Sequence, residues 1–118
     1  MNRILVYTKT GVILNAGIGF IFTGEMSGNN WQIDVPSTSG QKIHGITTQT
    51  TDEFTPVSAV FFVAGPQYCQ LSSNVSVGDA LSCDTNGHFF LKGALDSKVG
   101  IALTSGVSGG TAAVVITE

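Results

Sequence analysis

The sequence predicts an all-β fold, a sandwich or a barrel, built as one domain over residues 1–118. Three observations predict it. Apolar residues alternate in period two at several places, and no long stretch repeats them with a helical period. Strand-like runs recur at intervals of about 8–12 residues. Clusters of Gly, Ser, Thr, Asn and Pro separate these runs, and Gly alone numbers 15. With 118 residues, no internal repeat and no linker, the chain is long enough to enclose one core without staples.

Taken in order, residues 4–7 (Ile-Leu-Val-Tyr) form the first strand candidate. Residues 11–23 carry Val12, Ile13 and Leu14, then Ile18, Phe20 and Phe22 in strand spacing. Residues 24–30 (Gly-Glu-Met-Ser-Gly-Asn-Asn) read as a loop. Trp31, Ile33 and Val35 share one face of a strand that Pro36 ends, because proline cannot donate to a ladder. Residues 42–49 are weakly patterned. Thr47, Thr48, Thr50 and Thr51 are β-branched and polar, which suits an exposed strand. Residues 57–64 hold a continuous apolar run, the mark of a strand buried on both faces, and Gly65-Pro66 ends it. Residues 68–71 lead into a turn at Ser72-Ser73-Asn74. After Leu103, a Gly-Ser loop spans 104–110 and residues 112–117 form the closing strand.

The most informative stretch is 77–103. Asp84-Thr85-Asn86-Gly87 is a turn, since Asn and Gly accept positive φ and apolar runs flank them. A two-residue loop would set Cys83 opposite Phe90. A three-residue loop, with Gly87 in a bulge, sets Cys83 opposite Phe89 and Leu81 opposite Leu91. A one-residue slip exchanges the two faces. Only the second register collects Leu81, Cys83, Phe89 and Leu91 on one face, with Ser82, Asp84, His88 and Lys92 on the other, so it is the one expected. Val99, Ile101 and Leu103 alternate and extend the apolar face.

Composition narrows the function. Only 11% of residues are charged, against about 25% in ordinary domains. An apolar content of 42% with a net charge of −3 argues against disorder. The five Lys and Arg are scattered, with no basic stripe to meet phosphates, so nucleic acid is not expected as a partner. The apolar run before Phe22 contains Asn15 and is too short to span a bilayer, so no membrane is expected either. The chain reads as a mature, soluble protein made in the cytoplasm.

Motifs that resemble chemistry fail on context. Gly106-Val107-Ser108-Gly109-Gly110 fits G-x-S-x-G, but a β-type run follows it where a hydrolase needs a helix. Gly17-x-Gly19 begins a dinucleotide fingerprint, but Phe22 stands in place of the third glycine. Asn74-Val75-Ser76 matches a glycosylation acceptor, which carries meaning only on a secretory route. His44 and His88 lie in no metal spacing, and Asp52-Glu53 reads as a solvated loop. His88 is expected beside Asp84 as a surface pair. Cys69 and Cys83 read as buried free thiols, with one bridge as the alternative. No catalytic residue, metal or cofactor is expected. Trp31 belongs to the core or to a subunit interface.

Residues Val77-Gly78-Asp79-Ala80-Leu81, the turn Asp84-x-x-Gly87, Val99-Gly100-Ile101-Ala102-Leu103, the Gly-Ser loop and Ala113-Val114-Val115-Ile116 resemble the carboxy-terminal pattern of the small capsid-decoration proteins of tailed bacteriophages, also called cement or head-accessory proteins. The resemblance spans about the last 42 residues. It implies a small β-barrel or β-tulip-like domain and a non-enzymatic, structural role on the virion. It implies binding to the outer face of an assembled capsid, with the major capsid protein as partner, and bridging of its subunits by a homo-oligomer, a trimer above all. A small β-type module that binds a receptor or a carbohydrate is the alternative, and a hydrolase using Ser108 is the third reading.

Apolar residues crowd the first 22 positions, and large exposed apolar patches are rare on monomers. Residues 1–24 are therefore expected to be an interface arm or edge-strand region, with Ile4, Val12, Ile18, Phe20, Phe22 and Trp31 as contact residues. Completion of the barrel by these same residues is the other outcome.

Overall fold

Ten β-strands and, among the described residues, no helix follow from the alternating pattern, in a computed structural model that describes residues 3–9, 11–51, 56–61 and 66–116. β1 (Arg3–Thr8), β2 (Gly19–Ser27), β3 (Asn30–Asp34), β4 (Gly45–Thr47) and β5 (Val57–Phe61) close into a barrel in the order β1-β3-β2-β4-β5, with β5 returning to β1. β1 runs parallel to β3, and the other barrel pairs are antiparallel. Val6, Leu14, Ile18, Phe20 and Ile33 fill the interior. Burial of each such side chain is worth about 1.5–3 kcal/mol for the largest of them.

β6 (Pro66–Gln70), β7 (Ala80–Cys83), β8 (Phe89–Leu91), β9 (Gly100–Ala102) and β10 (Thr111–Ile116) form a second, antiparallel sheet in the order β6-β10-β9-β7-β8. It curls until a parallel bridge joins Leu71, just after β6, to Phe89 of β8. Leu71, Leu81, Cys83, Phe89 and Val114 line its interior, and Ile46 of β4 packs among them. The expected small barrel thus takes up the first half of the chain, with a curled sheet beside it. In the hairpin β7–β8, Cys83 pairs with Phe89 and Leu81 with Leu91, the register of the three-residue loop. Gly87 closes the turn with φ of 76°.

Gly17 and Gly19, too few for a dinucleotide loop, form the junction of the two halves. Gln70 N donates to Gly17 O (3.0 Å) and Gly19 N to Gly87 O (2.8 Å). A Cβ at Gly17 would lie 2.6 Å from Tyr68 O, and one at Gly19 would lie 2.6 Å from Cys83 Sγ. Only glycine lets the two backbones approach this closely.

Several expectations need correction. The strand expected over residues 11–23 begins only at Gly19, and it continues through the supposed loop to Ser27. Gly28 and Asn29 make the turn, and a bulge between Phe22 and Met26 shifts the register. β1 and β2 have neighbours on both sides, so residues 3–8 and 19–27 are staves of the barrel rather than edge strands. Thr47 and Thr51 are buried, not exposed. Segment 11–18 crosses the barrel without a ladder of its own, and threonine hydroxyls supply its partners. Thr51 Oγ1 accepts from Leu14 N (2.8 Å), and Thr47 Oγ1 accepts from Ile18 N (3.0 Å) and donates to Asn15 O (2.7 Å). Thr8 Oγ1 donates to Val12 O in the same way.

In the second sheet, β6 occupies residues read as a lead-in to a turn, with Pro66 as the first residue of an outer strand, where its missing N–H is harmless. On β9 the buried residues are Gly100 and Ala102, not Ile101 and Leu103. A Cβ at Gly100 would meet Val114 Cγ1 at 2.7 Å, so β9 lies too close to β10 for a larger inward residue. Ser82 is buried, and its Oγ has no hydrogen-bond partner among the described residues. Asp52, Glu53 and Phe62 lie outside the described residues.

Candidate functional site

The barrel's inner face does not end with the barrel. β2 pairs with β4 only at Gly19 and Phe20, then outruns it as a hairpin with β3. Phe22 pairs with Ile33 and Met26 with Trp31, so Phe22, Met26, Trp31 and Ile33 share the face that Phe20 presents to the core. Phe20 and Ile33 are fully buried, whereas Trp31 is 37% and Met26 48% exposed. Ring contacts run outward without a break. Phe20 meets Phe22 edge-on at 5.8 Å, and Phe22 meets Trp31 at 5.5 Å. His44 stacks on Phe22 at 5.1 Å with only 15° between planes.

His44 has a second task. Its backbone N donates to Phe20 O, and its Nδ1 accepts from Phe22 N (2.9 Å). The imidazole thus stands in for a ladder partner where β4 has ended. Burial holds it below its ordinary pKa, which keeps Nδ1 free to accept. The bulge beside it is fixed by Thr23, whose Oγ1 donates to Gln32 Oε1 (2.7 Å).

Of the six residues expected at an interface, Ile18 and Phe20 lie in the barrel core and complete it. Ile4 and Val12 are half-buried against that core. Phe22 and Trp31 alone come together on an accessible patch. Sequence reading missed Met26 and His44 as their neighbours. The only signal for Met26 would have been its place four residues beyond Phe22, which a bulge makes unreadable.

The other candidates are dispersed. Ser108 sits in the loop before β10, a strand, and its amide donates to Asn74 Oδ1 (2.9 Å). Asp84 Oδ1 accepts from the backbone amides of Asn86 (2.9 Å) and His88 (3.0 Å), which makes it a turn cap in place of the expected side-chain pair. Cys69 and Cys83 are free, buried thiols, and burial raises both far above the ordinary value. Among the described residues no group of three or more His, Cys, Asp or Glu is placed to hold a metal ion. Among them, too, no helix is long and apolar enough to cross a membrane.

No family model and no curated protein matches this chain. A solved structure does match in fold. The head fibre gp8.5 N base of bacteriophage phi29 superposes with a TM-score of 0.75 at 13% identity. The match covers 98% of this chain and 92% of that one. At that identity the likeness is one of fold. It takes in the barrel as well as the curled sheet, whereas the sequence pattern noted above is confined to the last 42 residues.

Proposed function

We propose that this chain is a structural protein of a bacteriophage head, which binds the outer surface of the assembled capsid and stabilises it by bridging major capsid subunits. In this reading it acts as a homo-oligomer, a trimer first of all, on the capsid exterior, after synthesis in the host cytoplasm. The observation that carries the reading is the fold match along nearly the whole chain to the base of a phage head fibre. The carboxy-terminal pattern supports it independently. A non-enzymatic role is supported by how the titratable groups are engaged. His44 and Asp84 bind backbone amides, and both thiols are buried.

The test is co-sedimentation of the purified protein with capsids that lack it. Saturable binding and capsids more resistant to heat are expected. A protein that stays in the supernatant at every concentration overturns the reading.

The aromatic patch favours a second reading, a small module that binds a receptor or a carbohydrate from the virion. Trp31→Ala would then abolish binding to cells or glycans and leave capsid sedimentation unchanged.

A further inference from the structure

We propose that the loop end of the second sheet, tipped by Val77, Leu103 and Val107, is the surface through which copies of this chain meet. This rests on the oligomeric part of the reading above and adds the surface. β6, β8 and β9 finish, and β7 and β10 begin, at one end of the sheet. The two loops there, 71–79 and 103–110, are tied together. Val75 and Gly106 exchange both backbone hydrogen bonds (2.9 and 3.1 Å), Gly78 N donates to Ala102 O (2.8 Å), and Ser108 N donates to Asn74 Oδ1. Val77 and Val107 are each 66% exposed on these loops, and Leu103 is 41% exposed. Leu91, also exposed, flanks them at the end of β8, where its amide donates to Ser73 Oγ. Apolar tips on a fixed backbone lose little freedom when they are covered.

Charge decides which partner fits. The two loops contain one charged residue, Asp79, and its carboxylate accepts from Ser76 N (2.8 Å). Residues 99–116 contain none. Contact between identical copies brings each residue close to its own counterpart around a symmetry axis. Like charges placed so repel, while apolar and hydroxyl groups meet their own kind freely. The net charge of −3 is carried by the rest of the chain, which leaves this end as the region best suited to self-contact. A partner chosen by opposite charge finds nothing here to recognise.

Sedimentation velocity of the full chain over a concentration series tests this, with Val77→Glu, Val107→Glu and Val107→Ser alongside. The wild type is expected to form a closed oligomer. Both Glu variants should sediment as single chains at the same concentrations, with unchanged circular dichroism and melting. Val107→Ser, which introduces no charge, should weaken assembly without abolishing it and keeps the test valid if a Glu variant misfolds. Wild-type protein that stays a single chain throughout overturns the proposal, as do Glu variants that assemble like the wild type. Capsid sedimentation of the same samples separates the two readings. Glu variants that stay oligomeric but lose the capsid would assign this end to the shell and overturn the proposal. A wild type that assembles through these residues and ignores capsids would support it and remove the preceding reading.

Discussion

The barrel and the curled sheet each use five strands, yet they are assembled by opposite means. The sheet takes its hairpin β7–β8 from neighbours in sequence, across a turn whose residues declare it. The barrel closes through β1 and β5, which lie more than fifty residues apart, and through a parallel pairing of β1 with β3. The barrel satisfies an irregular segment with threonine hydroxyls. The sheet packs its strands closely by means of Gly100, Ala102 and Ala112. Local turn chemistry can therefore be read from one stretch of chain, whereas closure depends on a register that no single stretch encodes.

The largest effect should come from the barrel core. Phe20→Asp places a carboxylate where the native ring is fully buried, and a loss of about 4 kcal/mol or more should leave the chain unfolded. Because Ile46 packs in the sheet's interior and Gly19 bonds to Gly87, the sheet should unfold with the barrel. Trp31 fluorescence, which reports the barrel, and far-UV circular dichroism, which reports both halves, should therefore give one superimposable denaturation curve for the wild type. Separate midpoints would break the two halves into independent units.

Next comes Gly87→Val, at the junction. Its Cβ would lie 2.3 Å from Ile18 Cγ2 in a backbone of φ 76°, so strain and overpacking together should cost about 3 kcal/mol. An unchanged urea midpoint would mean that the turn does not touch the barrel. Thr47→Val keeps the shape but removes the hydroxyl that serves Ile18 N and Asn15 O, and should cost about 2 kcal/mol. A neutral result in thermal melts would show that segment 11–18 finds other partners.

The smallest effect is in pH. His44 is held below its ordinary value of 6.5 by burial. Between its folded value and 6.5 the unfolded chain binds a proton that the folded protein does not. Stability should thus be fully present above pH 6.5 and decline as pH falls through that window, and the decline should be shallower in His44→Gln. An equal pH slope in the variant would remove His44 as the cause.

The same contrast sets what could be read in the sequence. The register of Leu81 with Leu91 was legible because only one loop length sorts the apolar residues onto one face. The face of β9 was not, because a glycine and an alanine gave no apolar signal against Ile101 and Leu103. Residues 24–27 hid their strand because Gly24, Glu25 and Ser27 have low β-propensity and a bulge breaks the alternation. Buried Thr47 and Thr51 look like solvated threonines until the amides of Leu14 and Ile18 are placed against them. In the patch, Phe22 and Trp31 were legible as candidates, but that they meet His44 depends on β4 ending early.

The bridge between Leu71 and Phe89 bears on how far assembly can run. A sheet with two open margins offers a template that further chains extend without limit. Here Ser72 N already donates to Phe89 O, Leu91 N to Ser73 Oγ, and Gln70 N to Gly17 O. The first half has no margin, since its strands form a closed ring. Copies crowded together therefore have few free backbone groups to zip onto and must join through side chains. Such contacts saturate when a symmetric ring closes, which favours particles of fixed size over fibres.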